Sequence, residues 1–182
     1  MKLILGFSGQ IGSGKGTVTG YIVKKYNASY YRFSNILREV SDFLRIEKSR
    51  DNLQDLSTIL RKRFGEDLLI KIIFEKVKED TNEIIVIDGI RLADDLQYLQ
   101  TFSEFRFVYI EADPRVRYER MLTRNENPGD AEKTFEQFIQ DQYDEADVQI
   151  KSLKTKADFV IGNDGTLAEL YSKIDSFIGT MR

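Results

Sequence analysis

The chain has 182 residues, 41% hydrophobic and 31% charged, with a formal net charge of −3. This is the composition of one soluble globular domain with room for a proper core. It has no cysteine and no histidine, which excludes disulfides, thiolate metal sites and the usual imidazole base, so any metal is a hard cation held by oxygens.

Slight acidity gives no general attraction to nucleic acid or anionic membranes. No targeting signal and no run of transmembrane length stands in the sequence. The expectation is a cytoplasmic enzyme acting on small molecules, with no nucleic-acid or membrane partner.

Residues 2–8, with Leu3, Ile4, Leu5 and Phe7, read as an apolar strand that runs into GQIGSGKGT at 9–17. Gly9, Gly12, Gly14 and Gly16 let the backbone curl with its N–H groups inward. Lys15 brings a point charge to the β- and γ-phosphates, and a helix over 15–26 turns the positive end of its dipole toward them. Strand, glycine loop and helix in this order are a phosphate-binding loop, and Gly9, Gly12, Ser13, Gly14, Lys15, Gly16 and Thr17 are its expected ATP contacts. The commoner form of the loop has a hydroxyl directly after the lysine; here Gly16 stands there and the hydroxyl follows at Thr17. In this respect the loop resembles that of adenylate kinases and related nucleoside monophosphate kinases.

A second strand is expected over 30–33, followed by Phe33-Ser34-Asn35-Ile36-Leu37-Arg38. This is similar to a segment of those kinases whose arginine grips the acceptor phosphate, which implies that role for Arg38; Asn35 stands where their pattern has aspartate. Nearly fifty residues separate this strand from the next, with helical patterns near 35–46, 51–64 and 66–79. They read as a helical insert over about 35–80, which the resemblance makes the acceptor-binding part. Asp51 is the expected cap of its middle helix, and Arg61, Lys62 and Arg63 fit either the acceptor or the dipole at that helix's C-terminal end.

Ile84-Ile85-Val86-Ile87-Asp88 is a strand apolar on both faces that ends in a carboxylate. Ligands of open α/β sheets lie at that strand edge, so Asp88 is expected beside the loop, holding Mg²⁺ together with Thr17, directly or through water. Asp88-Gly89-Ile90-Arg91 also resembles a segment of adenylate kinases that places its arginine, here Arg91, on the acceptor phosphate.

A helix is expected over 92–102, a strand over 105–111 and a helix over 114–124, the last capped by Asp113 with Pro114 at its first position. Arg117, Arg120 and Arg124 share one face of that helix. The turn Asn127-Pro128-Gly129-Asp130 follows and marks a small lid over about 124–134. In the resembling kinases such arginines close over the triphosphate, which implies catalytic roles for Arg120 and Arg124 more than for Arg117. One helix is expected over 131–152, acidic outside with a packed apolar stripe. A last strand over 158–161 and a helix over 166–179 capped by Thr166 complete the chain. Ala157-Asp158-Phe159-Val160-Ile161 with Asn163 and Gly165 resembles the segment of dephospho-CoA kinases that borders the adenine, which implies Asn163 as an ATP contact.

The alternation of strands and helices gives an α/β class with a parallel sheet. Over most of its length the chain looks like the P-loop nucleotide kinase group, with dephospho-CoA kinases included. The resemblance implies a three-layer α/β/α fold, residues 1–182 as one domain, and a five-stranded sheet in the order 2-3-1-4-5. It further implies Mg²⁺ and ATP as cofactor and donor, with Lys15, Asp88, Arg120 and Arg124 catalytic and Arg38 and Arg91 on the acceptor. The expected reaction is phosphoryl transfer to a nucleoside monophosphate or related nucleotide. Dephospho-CoA kinase activity is the rival within the class, and an ATP-hydrolysing regulatory or assembly protein is the rival outside it.

Overall fold

The computed structural model describes residues 2–124, 131–143 and 145–181. Five parallel strands, β1 (Leu3–Ser8), β2 (Ser29–Arg32), β3 (Ile84–Asp88), β4 (Phe105–Glu111) and β5 (Phe159–Gly162), form one sheet in the order β2-β3-β1-β4-β5, as expected from the sequence. All six residues of β1 and all five of β3 are buried, because helices cover both sheet faces.

The period of two sorts their side chains into two cores. Leu3, Leu5, Phe7, Ile84 and Val86 pack with Val18 and Ile22 of α1 (Lys15–Tyr26) and with Leu170, Ile174 and Ile178 of α9 (Leu167–Met181). Ile4, Ile85 and Ile87 face the other way. They meet α2 (Phe33–Leu44), α3 (Arg50–Phe64), α4 (Leu68–Glu79) and α5 (Ala93–Leu99) through Ile36, Leu37, Leu53, Leu69, Ile73 and Leu96. The insert therefore consists of α2, α3 and α4 between β2 and β3, and its apolar stripes continue the domain core.

Several boundaries differ from expectation. Phe33 opens α2 instead of ending β2, since its ring belongs to the core under that helix. Ser49, not Asp51, caps α3: its hydroxyl accepts from the Asn52 backbone N–H at 3.2 Å. The helix expected over 131–152 is two helices, α7 (Phe135–Asp141) and α8 (Glu145–Ser152). A capping box between Thr134 and Gln137 starts α7 and a turn follows at 142–143. The caps at Asp113 and Thr166 stand as expected: Asp113 Oδ1 accepts from the Arg115 N–H at 2.8 Å, opening α6 (Pro114–Arg124), and Thr166 exchanges hydrogen bonds with Glu169. The Asn127–Asp130 turn and most of the expected lid lie outside the described residues. Among the described residues no helix is long and apolar enough to cross a membrane.

Candidate active site

The loop after β1 is held from two directions. From beyond β5, the Asn163 side-chain amide donates to the Ser13 carbonyl at 2.8 Å, while the Asn163 backbone N–H is tied to Glu111 O. From α6, Arg117, only 2% exposed, donates through Nη1 to Ile11 O at 3.3 Å and through Nε to Ala112 O at 3.2 Å. The fit is close. A Cβ on Gly12 would collide with the Arg117 backbone, and one on Gly14 with the Asn163 amide, while both glycines have positive φ, 76° and 94°. Asn163, expected as an ATP contact, thus braces the loop, with its side chain buried against Ser13.

At the opposite edge of the loop, the backbone N–H groups of Gly89 and Ile90 both donate to Phe7 O at 3.2 Å, and Ser8 Oγ donates to Ile90 O at 2.6 Å. These bonds clasp the end of β3 to the end of β1 and carry Asp88 to the loop, as the strand-edge argument expects. Asp88 is 5% exposed, and its Oδ2 accepts from the Tyr30 hydroxyl at 2.7 Å and lies 3.7 Å from Arg32 Nε. Burial, with Asp88 beside it, pushes the Tyr30 phenol above its ordinary range.

Lys15 donates to Gly9 O at 2.6 Å. Burial lowers its pKa to about 8; the Asp88 charge opposes that shift, and the charges of Arg91, Arg32 and Arg124 add to it. The loop lysine, the strand-end carboxylate and two of the expected arginines therefore share one field, joined by Arg32. Arg32 and Tyr30 are absent from the sequence reading. The available signal was alternation: both fall on the same face of β2, at the strand edge where ligands gather.

The remaining candidates are placed as follows. Thr17 is exposed at the first turn of α1, and Gly16 has open space where a Cβ would stand. Among the described residues, the buried side-chain polar atoms without a partner are Ser13 Oγ, Ser34 Oγ and Arg120 Nη1. Arg38 is exposed on α2, with no hydrogen bond or ion pair to another described residue. Arg117 is a structural brace, and Arg61 ties α3 to α5 through Asp95 Oδ2 at 3.8 Å.

One buried carboxylate and one exposed hydroxyl suit a cation that keeps most of its own waters and takes phosphate oxygens, which is how Mg²⁺ is bound. No group of three or more His, Cys, Asp or Glu gathers among the described residues to cage a metal. The donor set at the loop fits Mg²⁺ arriving with a nucleotide.

A family model described as AAA domain matches residues 8–138, from the end of β1 into α7. The chain belongs to this AAA domain family. It is similar to a UPF0200 protein of Hyperthermus butylicus, at 29% identity over 168 residues, covering 92% of this chain and 89% of that one. A UPF0200 protein of Sulfurisphaera tokodaii is 26% identical over 175 residues, covering 96% and 95%.

Among solved structures, a shikimate kinase from Bacteroides thetaiotaomicron superposes with a TM-score of 0.65 at 14% identity, covering 98% of each chain. TT1252 from Thermus thermophilus gives 0.65 at 13%, covering 100% of this chain and 98% of that one. At these identities the likeness is one of fold: a kinase-like P-loop fold, as the sequence implied.

Proposed function

We propose that this AAA domain protein transfers a phosphoryl group from Mg·ATP to a nucleoside monophosphate or a closely related nucleotide. The observation that carries the reading is the placement of Asp88 beside the Lys15 loop, abreast of Phe7, with the Tyr30 hydroxyl at 2.7 Å and Arg32 Nε at 3.7 Å from its Oδ2. The charges of Arg32, Arg91 and Arg124 all act against the charged form of Lys15 until anions arrive. Transfer between two phosphates calls for that arrangement, because it depends on positioning and positive charge more than on covalent help. The unpartnered buried atoms Ser13 Oγ and Arg120 Nη1 support it, since buried polar atoms are ordinarily hydrogen-bonded and a triphosphate brings acceptors.

In this reading Lys15 and the loop amides hold the β- and γ-phosphates, and the Thr17 hydroxyl donates to the phosphate chain and stands with Asp88 toward the cation, directly or through water. Arg120 and Arg124 close on the triphosphate from α6, and Arg38 and Arg91 hold the acceptor. Asp88, steadied by Tyr30, orients the cation and its waters. Mg²⁺ when bound supplies charge neutralisation on the transferring group. Neither Ser34 nor Asn35 offers a carboxylate beside β2, and one Asp88 oxygen is already engaged, so an acceptor that needs no strong base is favoured over a hydroxyl.

The test incubates the protein and Mg·ATP with a panel of nucleoside monophosphates, dephospho-CoA and shikimate, reading ADP and phosphorylated product. A phosphorylated monophosphate, lost in Lys15→Ala with the fold intact, supports the proposal. Phosphorylated dephospho-CoA alone moves the acceptor to a hydroxyl. ADP with no phosphorylated acceptor turns the protein into an ATP-hydrolysing switch.

A further inference from the structure

Arg32 closes β2 and stands directly abreast of Asp88 in the parallel register. Two residues earlier, on the same face, Tyr30 reaches the same carboxylate. The two approaches to Oδ2 are unlike. The Tyr30 hydroxyl makes a short hydrogen bond of 2.7 Å, whereas Arg32 Nε stays at 3.7 Å on a side chain that is 47% exposed. A half-exposed pair of that length is weak and readily exchanged. Asp88 in turn stands abreast of Phe7, at the end of the strand that runs into the phosphate loop, so the guanidinium borders that loop through the carboxylate it meets.

Its backbone is fixed, with φ −137° and ψ 132° at the end of a paired strand, so only the side chain has to turn. The next residue, Phe33, opens α2, the first helix of the insert, and Ser34 Oγ is buried there without a partner. Arg32 thus sits between the place a divalent cation would take beside Asp88 and the side from which an acceptor would arrive.

We propose that Arg32 is a place-holder. It offsets the Asp88 charge while the site is free of nucleotide, yields that carboxylate to the divalent cation that accompanies ATP, and then turns to hold the acceptor's phosphate. This rests on the kinase reading above. Two cations compete for one carboxylate whose Oδ2 already serves Tyr30, and the divalent ion outweighs a single loose guanidinium. Once released, the planar fork can take two phosphate oxygens together, which a lysine cannot do. Metal binding would in this way prepare the second anion site.

The experiment uses the full chain with Arg32→Ala and Arg32→Lys, checked for folding by thermal melting. The first readout needs no turnover: Mg²⁺ is titrated against binding of a non-hydrolysable ATP analogue. Arg32→Ala is expected to lower half-saturating Mg²⁺ about 3- to 10-fold, with no such gain in an Asp88→Asn background. The second is calorimetric binding of AMP and UMP to the protein loaded with Mg²⁺ and the analogue, expected to weaken at least about tenfold in Arg32→Ala and be partly restored in Arg32→Lys.

An unchanged or increased Mg²⁺ requirement overturns the place-holder role and makes Arg32 a support of Asp88. Unchanged monophosphate affinity overturns the hand-over. A native protein that binds the Mg²⁺-loaded analogue but no monophosphate overturns the hand-over together with the kinase reading, while the metal titration still judges the place-holder by itself.

Discussion

Arg117 Nη2 donates to Gln142 Oε1 at 2.6 Å, and Gln10 of the phosphate loop donates to the same oxygen at 3.2 Å. A buried arginine on α6, a glutamine just after α7 and the loop itself are therefore one polar cluster, with the Arg117 guanidinium 5.3 Å from the centre of the Phe138 ring. Arg117→Met keeps much of the packing and strands several buried acceptors. A loss of about 1–3 kcal/mol follows, seen as a lower melting temperature, together with roughly tenfold weaker ATP binding. Lysine does not replace the fork. Gln142→Leu is expected to act in the same direction, and a double-mutant cycle should show the two as strongly non-additive; simple additivity would separate Arg117 from Gln142.

Lys15 gives the site a pH dependence of definite sign. Its pKa stands near 8 against an ordinary 10.5, so in the ligand-free fold its proton leaves as pH rises through about 8. The charged lysine is a cost to stability below that point, and the cost fades between 8 and 10.5. A triphosphate restores the proton. ATP binding is expected to weaken as pH climbs above 8 and to take up a proton in that window, measurable by calorimetry in buffers of different ionisation heat. Arg91→Ala removes one of the like charges and should move the decline to higher pH.

Asp95 titrates in the opposite region. It is 3% exposed, and burial lifts its pKa to about 6 from 3.8, with Arg61 opposing the rise. The buried carboxylate costs nothing below pH 4, grows unfavourable from 4 to 6 and is fully so above. Denaturant unfolding should show this part of the stability falling across that interval, and Asp95→Asn should flatten it. Arg61→Met leaves the carboxylate buried without its cation and should cost about 2–3 kcal/mol at pH 7 but little at pH 4.

Glycine positions separate loop shape from helix strength. Gly14→Ala combines a positive φ with a collision at Asn163, so nucleotide binding should fall sharply, and trimming Asn163 to alanine should restore only part of it. Gly20, inside α1 with open space at its Cβ, should accept alanine with a gain of roughly 0.5–1 kcal/mol. Melting curves of the two variants should move in opposite directions.

What the sequence showed plainly was local. Strand, glycine loop and lysine are consecutive, the Asp113-Pro114 start of α6 is a two-residue signal, and Asp88 follows four apolar residues that only a strand buried on both faces would contain. What it concealed was distance along the chain. Tyr30 meets Asp88 across 58 positions and Asn163 meets Ser13 across 150, and no periodicity encodes such pairs. Spacing grouped Arg117 with Arg120 and Arg124 on one face, but only packing shows that Arg117 turns under the loop. The start of α7 at Phe135 was legible after all, since Thr134 and Gln137 spell a capping box. The cap of α3 was not, because Ser49 and Asp51 are rivals two residues apart.

The bracing of the loop by Asn163 on one flank and Arg117 on the other has a kinetic consequence. A loop pinned on both flanks is preorganised, so a triphosphate entering it loses its own freedom but freezes little of the protein's. Donor association should then be governed by diffusion and charge steering, with rates that fall as salt rises, and with no slow ordering phase after the encounter.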